Sequence, residues 1–123
     1  MLYDIAIIGA GASGLMLASK LKNKKICLID ANEKIGAKIK ISGGGKCNIT
    51  NKYLSCENYL GNEQFVQNVL DNFDNKALLK FLHNNGVEPT MQEKIIKGTY
   101  FCNSSNDCCN FIINSILNNK WRY

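Results

Sequence analysis

Apolar and polar positions along the chain alternate between short strand-like runs and longer helical patterns. Ile5-Ala6-Ile7-Ile8 is short and β-branched and predicts a buried parallel strand. Leu15 to Lys22 places apolar residues at helical spacing among good helix formers, and Ile26-Cys27-Leu28-Ile29 predicts a second buried strand, ended by Asp30. From Asn62 the pattern turns helical again, with Phe65, Val66, Val69, Leu70 and Phe73 in phase and Glu63 in the first turn. Asp74 is placed to cap a following helix with Leu78, Leu79, Phe81 and Leu82 on its apolar face, and Gly86 to end it. Val87 to Gln92 and Thr99 to Phe101 predict two short strands joined through Lys97-Gly98. Ser104-Ser105-Asn106-Asp107 has the form of a capping box, with Asp for the usual Glu or Gln, and opens a last helix that buries Phe111, Ile112, Ile116 and Leu117.

Between the first strand and helix lies Gly9-Ala10-Gly11-Ala12-Ser13-Gly14. Strand, glycine loop, helix, strand and terminal acid, in that order and length, form the dinucleotide-binding βαβ unit. Gly9 permits the tight turn, Gly11 lets backbone approach a pyrophosphate, and Gly14 lets helix and strand pack closely. The first-turn N–H groups, at Ala12, Ser13 and Gly14, point at the phosphates, and Asp30 is placed to accept from ribose hydroxyls. The expected architecture is α/β and Rossmann-like, with a hairpin and further helices after the βαβ unit.

Composition narrows the function classes. The chain has 123 residues, 46% hydrophobic and 20% charged, which fits one small globular domain. Its net charge of +5 comes from lysines scattered over several segments without interleaved aromatics, a solvated basic face rather than a nucleic-acid binder. No apolar run reaches the ~18 residues of a membrane span, and Asp4 and the glycine loop come too early for a signal peptide. The six cysteines contain no CxxC pair, and Cys27 falls within a predicted strand, so neither a disulfide framework nor a metal site is expected. These readings place the chain, reduced, in the cytoplasm. His83 is the only histidine and sits where a helix ends, a terminus side chain rather than a base. Cys102, Cys108 and Cys109 read as small core hydrophobes.

A second glycine-rich stretch, Ser42-Gly43-Gly44-Gly45-Lys46-Cys47-Asn48, offers several backbone N–H groups without side-chain obstruction. It is not a P-loop: Lys40 stands where that motif needs glycine, and Cys47 where it needs Ser or Thr. Asp30-x-Asn32 followed by Gly36-x-Lys38-x-x-x-Ser42-Gly43-Gly44-Gly45-Lys46-Cys47-Asn48-x-Thr50-Asn51 resembles the YhiN/BaiN-type NAD(P)/FAD-dependent flavoproteins, in which the fourth residue of the SGGG-x-C-N core is usually followed by arginine rather than Lys46. Lysine keeps the charge there but lacks the planar fork. Farther on, Glu93, Gly98, Phe101 and Ser104 fit the family pattern, whereas Thr99 replaces an arginine and Cys102 a proline.

The resemblance implies FAD as cofactor, NAD(P)H as a candidate electron donor and a small-molecule substrate. It places Gly9, Gly11, Ala12, Ser13 and Gly14 at the pyrophosphate, Asp30 at the ribose, and Lys38 with Ser42 to Asn48 along the flavin. It also implies that residues 1–123 are the N-terminal segment of a FAD/NAD(P)-binding domain, truncated and inactive alone, for which the missing C-terminal part is a partner. Lys46 and the loop N–H groups could activate Cys47 as a redox thiol, but with no resolving partner it reads as structural or flavin-contacting, and no catalytic residue is nominated. An NAD-binding dehydrogenase module and a non-catalytic dinucleotide-binding fragment are the alternatives; the first gives the second glycine stretch no role.

Overall fold

The β-branched runs and the amphipathic segments form the elements their patterns require. The computed structural model describes residues 2–93, 96–104, 106, 108, 110, 111 and 114. In chain order the elements are β1 (Ile5–Ile8), α1 (Ala12–Lys20), β2 (Ile26–Ile29), α2 (Ala37–Ile41), a 3₁₀ turn (Ser42–Gly45), β3 (Asn48–Asn51), a second 3₁₀ turn (Cys56–Asn58), α3 (Glu63–Asn72), α4 (Asn75–His83), β4 (Thr90–Met91) and β5 (Thr99–Phe101). They fall into two compact units, Met1–Cys47 with Ser104–Tyr123, and Asn48–Asn103.

In the first unit β1 and β2 pair in parallel, Ile5 opposite Ile26 and Ile8 opposite Ile29. Side chains alternate between the faces of a strand, so one face of this pair presents Ile5, Ile7, Ile26 and Leu28. Leu15 and Ala18 of α1 meet that face and are fully buried, and Ile7, Leu15, Ala18 and Ile26 form a core flanked by Leu21, Ile35 and Ile39. The helix begins at Ala12, earlier than its apolar spacing predicts, because the loop residues supply its first turn. The expectation of two fully buried strands holds for one face only. Ile8 is 87% and Ile29 49% exposed on the other. A parallel pair needs a layer on each side, and among the described residues α1 furnishes one of them.

The second unit is a three-stranded antiparallel sheet in the order β3-β5-β4 with two helices. The predicted hairpin is present as β4 and β5, though β4 is shorter than Val87 to Gln92. The strand β3 was not legible in Asn48-Ile49-Thr50-Asn51, which lacks apolar alternation; it pairs with β5 through a register irregularity between Asn48 and Thr50. Both helices start as the sequence requires: the Asn62 side chain accepts from the Phe65 N–H at 2.9 Å, and Asp74 from the Ala77 N–H at 2.8 Å. Gly86 takes a left-handed φ of +78° just beyond α4, and Val87 N–H returns to the Leu82 carbonyl. His83 ends α4 with its Nδ1 bonded to the Glu88 carboxylate, both side chains exposed. Leu82, Val87 and Phe101 are buried, whereas Phe65, Val69 and Phe73 form an exposed stripe on α3.

Of the last predicted helix, Asn106, Cys108, Asn110, Phe111 and Asn114 are described and helical; Ile112, Ile116, Leu117 and Cys109 lie outside the described residues. Cys102 and Cys108 are buried, as small core residues should be, but each is disulfide-bonded, against the expectation of reduced thiols throughout. Cys27, Cys47 and Cys56 are free.

One contact sets how closely α1 can lie on β1. A Cβ built on Gly14 would stand 1.9 Å from the Gly9 carbonyl oxygen and 3.3 Å from Ile7, and backbone cannot yield as a flexible side-chain tip does. Gly14→Ala should therefore destabilise the chain by about 1–3 kcal/mol despite alanine's better helix propensity, measured by urea denaturation. Unchanged stability would show that α1 can shift away from β1.

Candidate dinucleotide-binding site

The loop between β1 and α1 holds three glycines whose reasons differ. Gly9 has φ +97°, a region other residues rarely adopt, so its role is conformational. Gly14 is required by packing. Gly11 has φ −83° and ψ −166°, open to any residue, and a Cβ on it would meet nothing within 4 Å. Neither backbone conformation nor internal packing explains glycine at that position. What the missing Cβ leaves is bare backbone at the mouth of α1.

Ala12, Ser13 and Gly14 form the first turn of that helix. No side chain caps it and no acidic residue stands in its first turn, so its leading N–H groups and the positive end of its dipole face outward.

Ala10, between the first two glycines, ties three segments together. Its N–H donates to Asp30 Oδ2 at 2.6 Å, and its carbonyl accepts from the Gly36 N–H at 2.9 Å. Asp30 Oδ1 accepts from both the N–H and the side-chain amide of Asn32, at 2.8 and 2.7 Å. The Asn32 N–H, then the Ala10 N–H, then the Asn32 amide hold the Asp30 carboxyl below its ordinary range, partly opposed by desolvation. With two acceptor positions on each oxygen, Oδ1 is filled and Oδ2 keeps one position for a further donor. Beside β2 a groove of about 580 Å³ is lined by Ala10, Asp30, Asn32, Lys34, Ile35 and Lys40.

The second glycine stretch is held to the first by α2. Gly36, in a left-handed conformation, receives the bond to Ala10, while Ile35 and Ile39 pack on the core of the βαβ unit. After α2 the chain coils through Gly43, Gly44 and Gly45, all at positive φ, and Cys47 is itself left-handed at φ +55°. A non-glycine residue in that region is strained, and here the Cys47 N–H bond to the Ser42 carbonyl at 3.0 Å and its near-complete burial hold it there. The Ser42 hydroxyl donates to the Ile39 carbonyl. Burial pushes the Cys47 thiol up, with a hydrogen bond from Ser42 acting against the shift. A thiol so raised stays protonated near neutral pH, which argues against the activated-thiol reading. Gly43, Gly44, Gly45, Lys38 and Lys46 are exposed. The sequence-predicted residues from Gly9 to Cys47 thus lie in one unit, whereas Asn48 begins β3 of the other.

Missed by the sequence reading were the two backbone bonds of Ala10 and the part played by Asn32. The only signal was the position of Asn32 two residues past the acid. Among the described residues no group of three or more His, Cys, Asp or Glu side chains converges as a metal site would, and no helix is long and apolar enough to cross a membrane.

The Asp30 bonds make stability depend on pH. A carboxyl held below its unfolded value of about 3.9 contributes stability that is complete well above that value and is lost as pH falls through the lower folded value. The melting temperature of the chain should therefore drop below about pH 4 more steeply than that of Asp30→Asn, in circular dichroism melts across pH 2.5 to 7, a range of about 4.5 units chosen to bracket the transition. Parallel profiles would show that Asp30 does not tie the loop down.

The profile of the HI0933-like protein Rossmann domain matches residues 3–122. The chain is 35% identical over 106 residues to the ribosomal RNA dihydrouridine synthase of Escherichia coli, covering 84% of this chain and 26% of that protein. It is 39% identical over 99 residues to the enzyme of the same name from Haemophilus influenzae, covering 78% and 24%. It is 34% identical over 88 residues to the 3-dehydro-bile acid delta(4,6)-reductase of Clostridium scindens, covering 68% and 22%. The chain spans about a quarter of the length of these curated relatives. A βαβ unit with its glycine loop anchored to a terminal acid, and a matching profile over nearly the whole chain, establish that it belongs to the HI0933-like Rossmann-domain family of YhiN/BaiN-type flavoproteins.

Proposed function

We propose that this chain is the FAD-binding segment of a flavin-dependent reductase. The observation that carries the reading is Gly11, a glycine that neither conformation nor packing explains and that leaves a cradle a Cβ would fill, at the uncapped N-terminus of α1. The donor set suits the group: backbone N–H groups of Ala12, Ser13 and Gly14 would hold the pyrophosphate, the remaining acceptor position of Asp30 a ribose hydroxyl, and the backbone from half-buried Ser42 through exposed Gly43 to Lys46 the flavin side. Asp30, kept ionised by its three donors, would present that acceptor in a fixed orientation.

The relatives' names suggest the reaction. Making dihydrouridine saturates a carbon–carbon double bond conjugated to a uracil carbonyl, and a delta(4,6)-reductase of a 3-dehydro bile acid acts on double bonds conjugated to a ketone. The shared chemistry is addition of two hydrogens across an α,β-unsaturated carbonyl. Bound flavin in its reduced form would supply the hydride and itself become oxidised, with NAD(P)H as the source of its electrons and a proton completing the addition. The chain's own residues bind and orient the cofactor. Residues beyond the matched quarter would supply the substrate side, so the remaining part of such an enzyme is a required partner.

The test is a spectrum of the purified chain with and without added FAD, beside Gly11→Val and Gly11→Ala. Retained flavin absorbance with quenched fluorescence is expected for the native chain and its loss for Gly11→Val, while Gly11→Ala should change the folding stability by no more than about 1 kcal/mol. Equal retention by the native chain and the valine variant would overturn the assignment of Gly11 to the cofactor.

A further inference from the structure

A carboxylate can meet the paired hydroxyls of a ribose in two ways. With both oxygens open it takes one hydroxyl on each, and with one oxygen occupied it takes a single hydroxyl. At the end of β2 the protein itself occupies one. Asp30 Oδ1 accepts from the Asn32 N–H at 2.8 Å and from the Asn32 side-chain amide at 2.7 Å, which fills both of its acceptor positions. Oδ2 accepts from the Ala10 N–H at 2.6 Å and keeps one position. The two bonds from Asn32 differ in origin. The first is a main-chain bond that any residue except proline makes at that place. The second belongs to the asparagine: an ionised carboxylate only accepts, so the side chain must turn its NH2 toward Asp30. Asn32 is exposed and stands outside the hydrophobic core, so apolar packing does not account for it. What its side chain does in this structure is fill Oδ1.

We propose that Asn32 sets the specificity of the site: by occupying Asp30 Oδ1 it makes the acid read the adenosine ribose through one of its two hydroxyls. The inference rests on the cofactor reading above and goes beyond it, to what the acid can distinguish. The bond that closes Oδ1 also orients the carboxylate, so Asp30 is well placed for one hydroxyl and shut to the other. The groove beside it offers no equivalent acceptor. Glu33 lines the same groove, but its side chain is exposed and, among the described residues, no hydrogen bond holds it in place. Such a side chain gives up rotamer freedom to make the contact, unlike one already tied down. Lys34 and Lys40, which also line the groove, carry ammonium groups that only donate.

The test titrates the chain with FAD and with FAD analogues lacking either the 2′- or the 3′-hydroxyl of the adenosine ribose, followed by flavin fluorescence, for the native chain and Asn32→Ala. The substitution keeps the main-chain bond and removes only the amide of an exposed residue, so cooperative melting by circular dichroism should persist. In the native chain one analogue should bind roughly 10- to 150-fold more weakly than FAD, the loss of a hydrogen bond to a charged acceptor, and the other within about threefold of FAD. In Asn32→Ala, with a position opened on Oδ1, both analogues should bind at least about tenfold more weakly than FAD. A merely structural role for Asn32 would shift all three ligands together. The proposal is overturned if the native chain discriminates against both analogues equally, if it discriminates against neither, or if Asn32→Ala keeps the one-sided pattern. A native chain that does not bind FAD overturns the cofactor reading itself and the ribose assignment with it, whereas the other three outcomes require bound FAD and so are told apart from that failure.

Discussion

The first unit depends on how near the backbone of α1 can come to the backbone of β1. At Gly14 the two are so close that the Gly9 carbonyl occupies the place of any side-chain carbon. That approach brings Leu15 and Ala18 down onto Ile7 and Ile26, closing the small core. It also leaves the N-terminus of α1 directly above the end of β1, with Gly11 bare at its mouth. Core packing and the bare helix N-terminus therefore share one cause. Removing the close contact would loosen the core and displace the outward-facing N–H groups of the first turn.

Ala10 extends this arrangement to the rest of the unit through its backbone. Its N–H fixes the acid at the end of β2, and its carbonyl fixes the start of α2. The second glycine stretch, which has little apolar content of its own, is thereby positioned by one hydrogen bond and by Ile35 and Ile39 on the shared core. Such a loop is adaptable in its exposed glycines and fixed at its ends, by α2 before it and by the buried, strained Cys47 after it. This combination leaves an open run of backbone between two fixed ends, with a buried cysteine, its thiol pushed up by burial, closing the second of them.

The second unit uses a different device. Its sheet is antiparallel and short, and much of its order comes from Asn51, whose side chain bridges β3 and the turn before β5, and whose carbonyl accepts from the Asn75 side chain at the start of α4. Asparagine serves this purpose because one amide can donate twice and accept at once. Apolar surface remains exposed in both units, on the outer face of β1 and β2 and along α3. Relatives more than three times as long carry far more chain with which to cover such faces.

The sequence by itself determined the βαβ unit, the start of a helix at Asn62, the cap at Asp74, the stop at Gly86 and the family resemblance carried by residues 30–51. These are local: periodicity, capping chemistry and glycine conformations depend on neighbours a few residues away. Tertiary structure alone decided the rest. It separated three glycines of one motif into conformational, steric and open positions, which the letters cannot distinguish. Pairing with β5 made a strand of the polar Asn48–Asn51, and covering on a single side left Ile8 and Ile29 outside although their pattern reads as buried. Lys52, Tyr53 and Lys97 met because a turn closed around Asn51. Contacts between residues far apart in the chain depend on which segments fold against each other, and no periodicity encodes that.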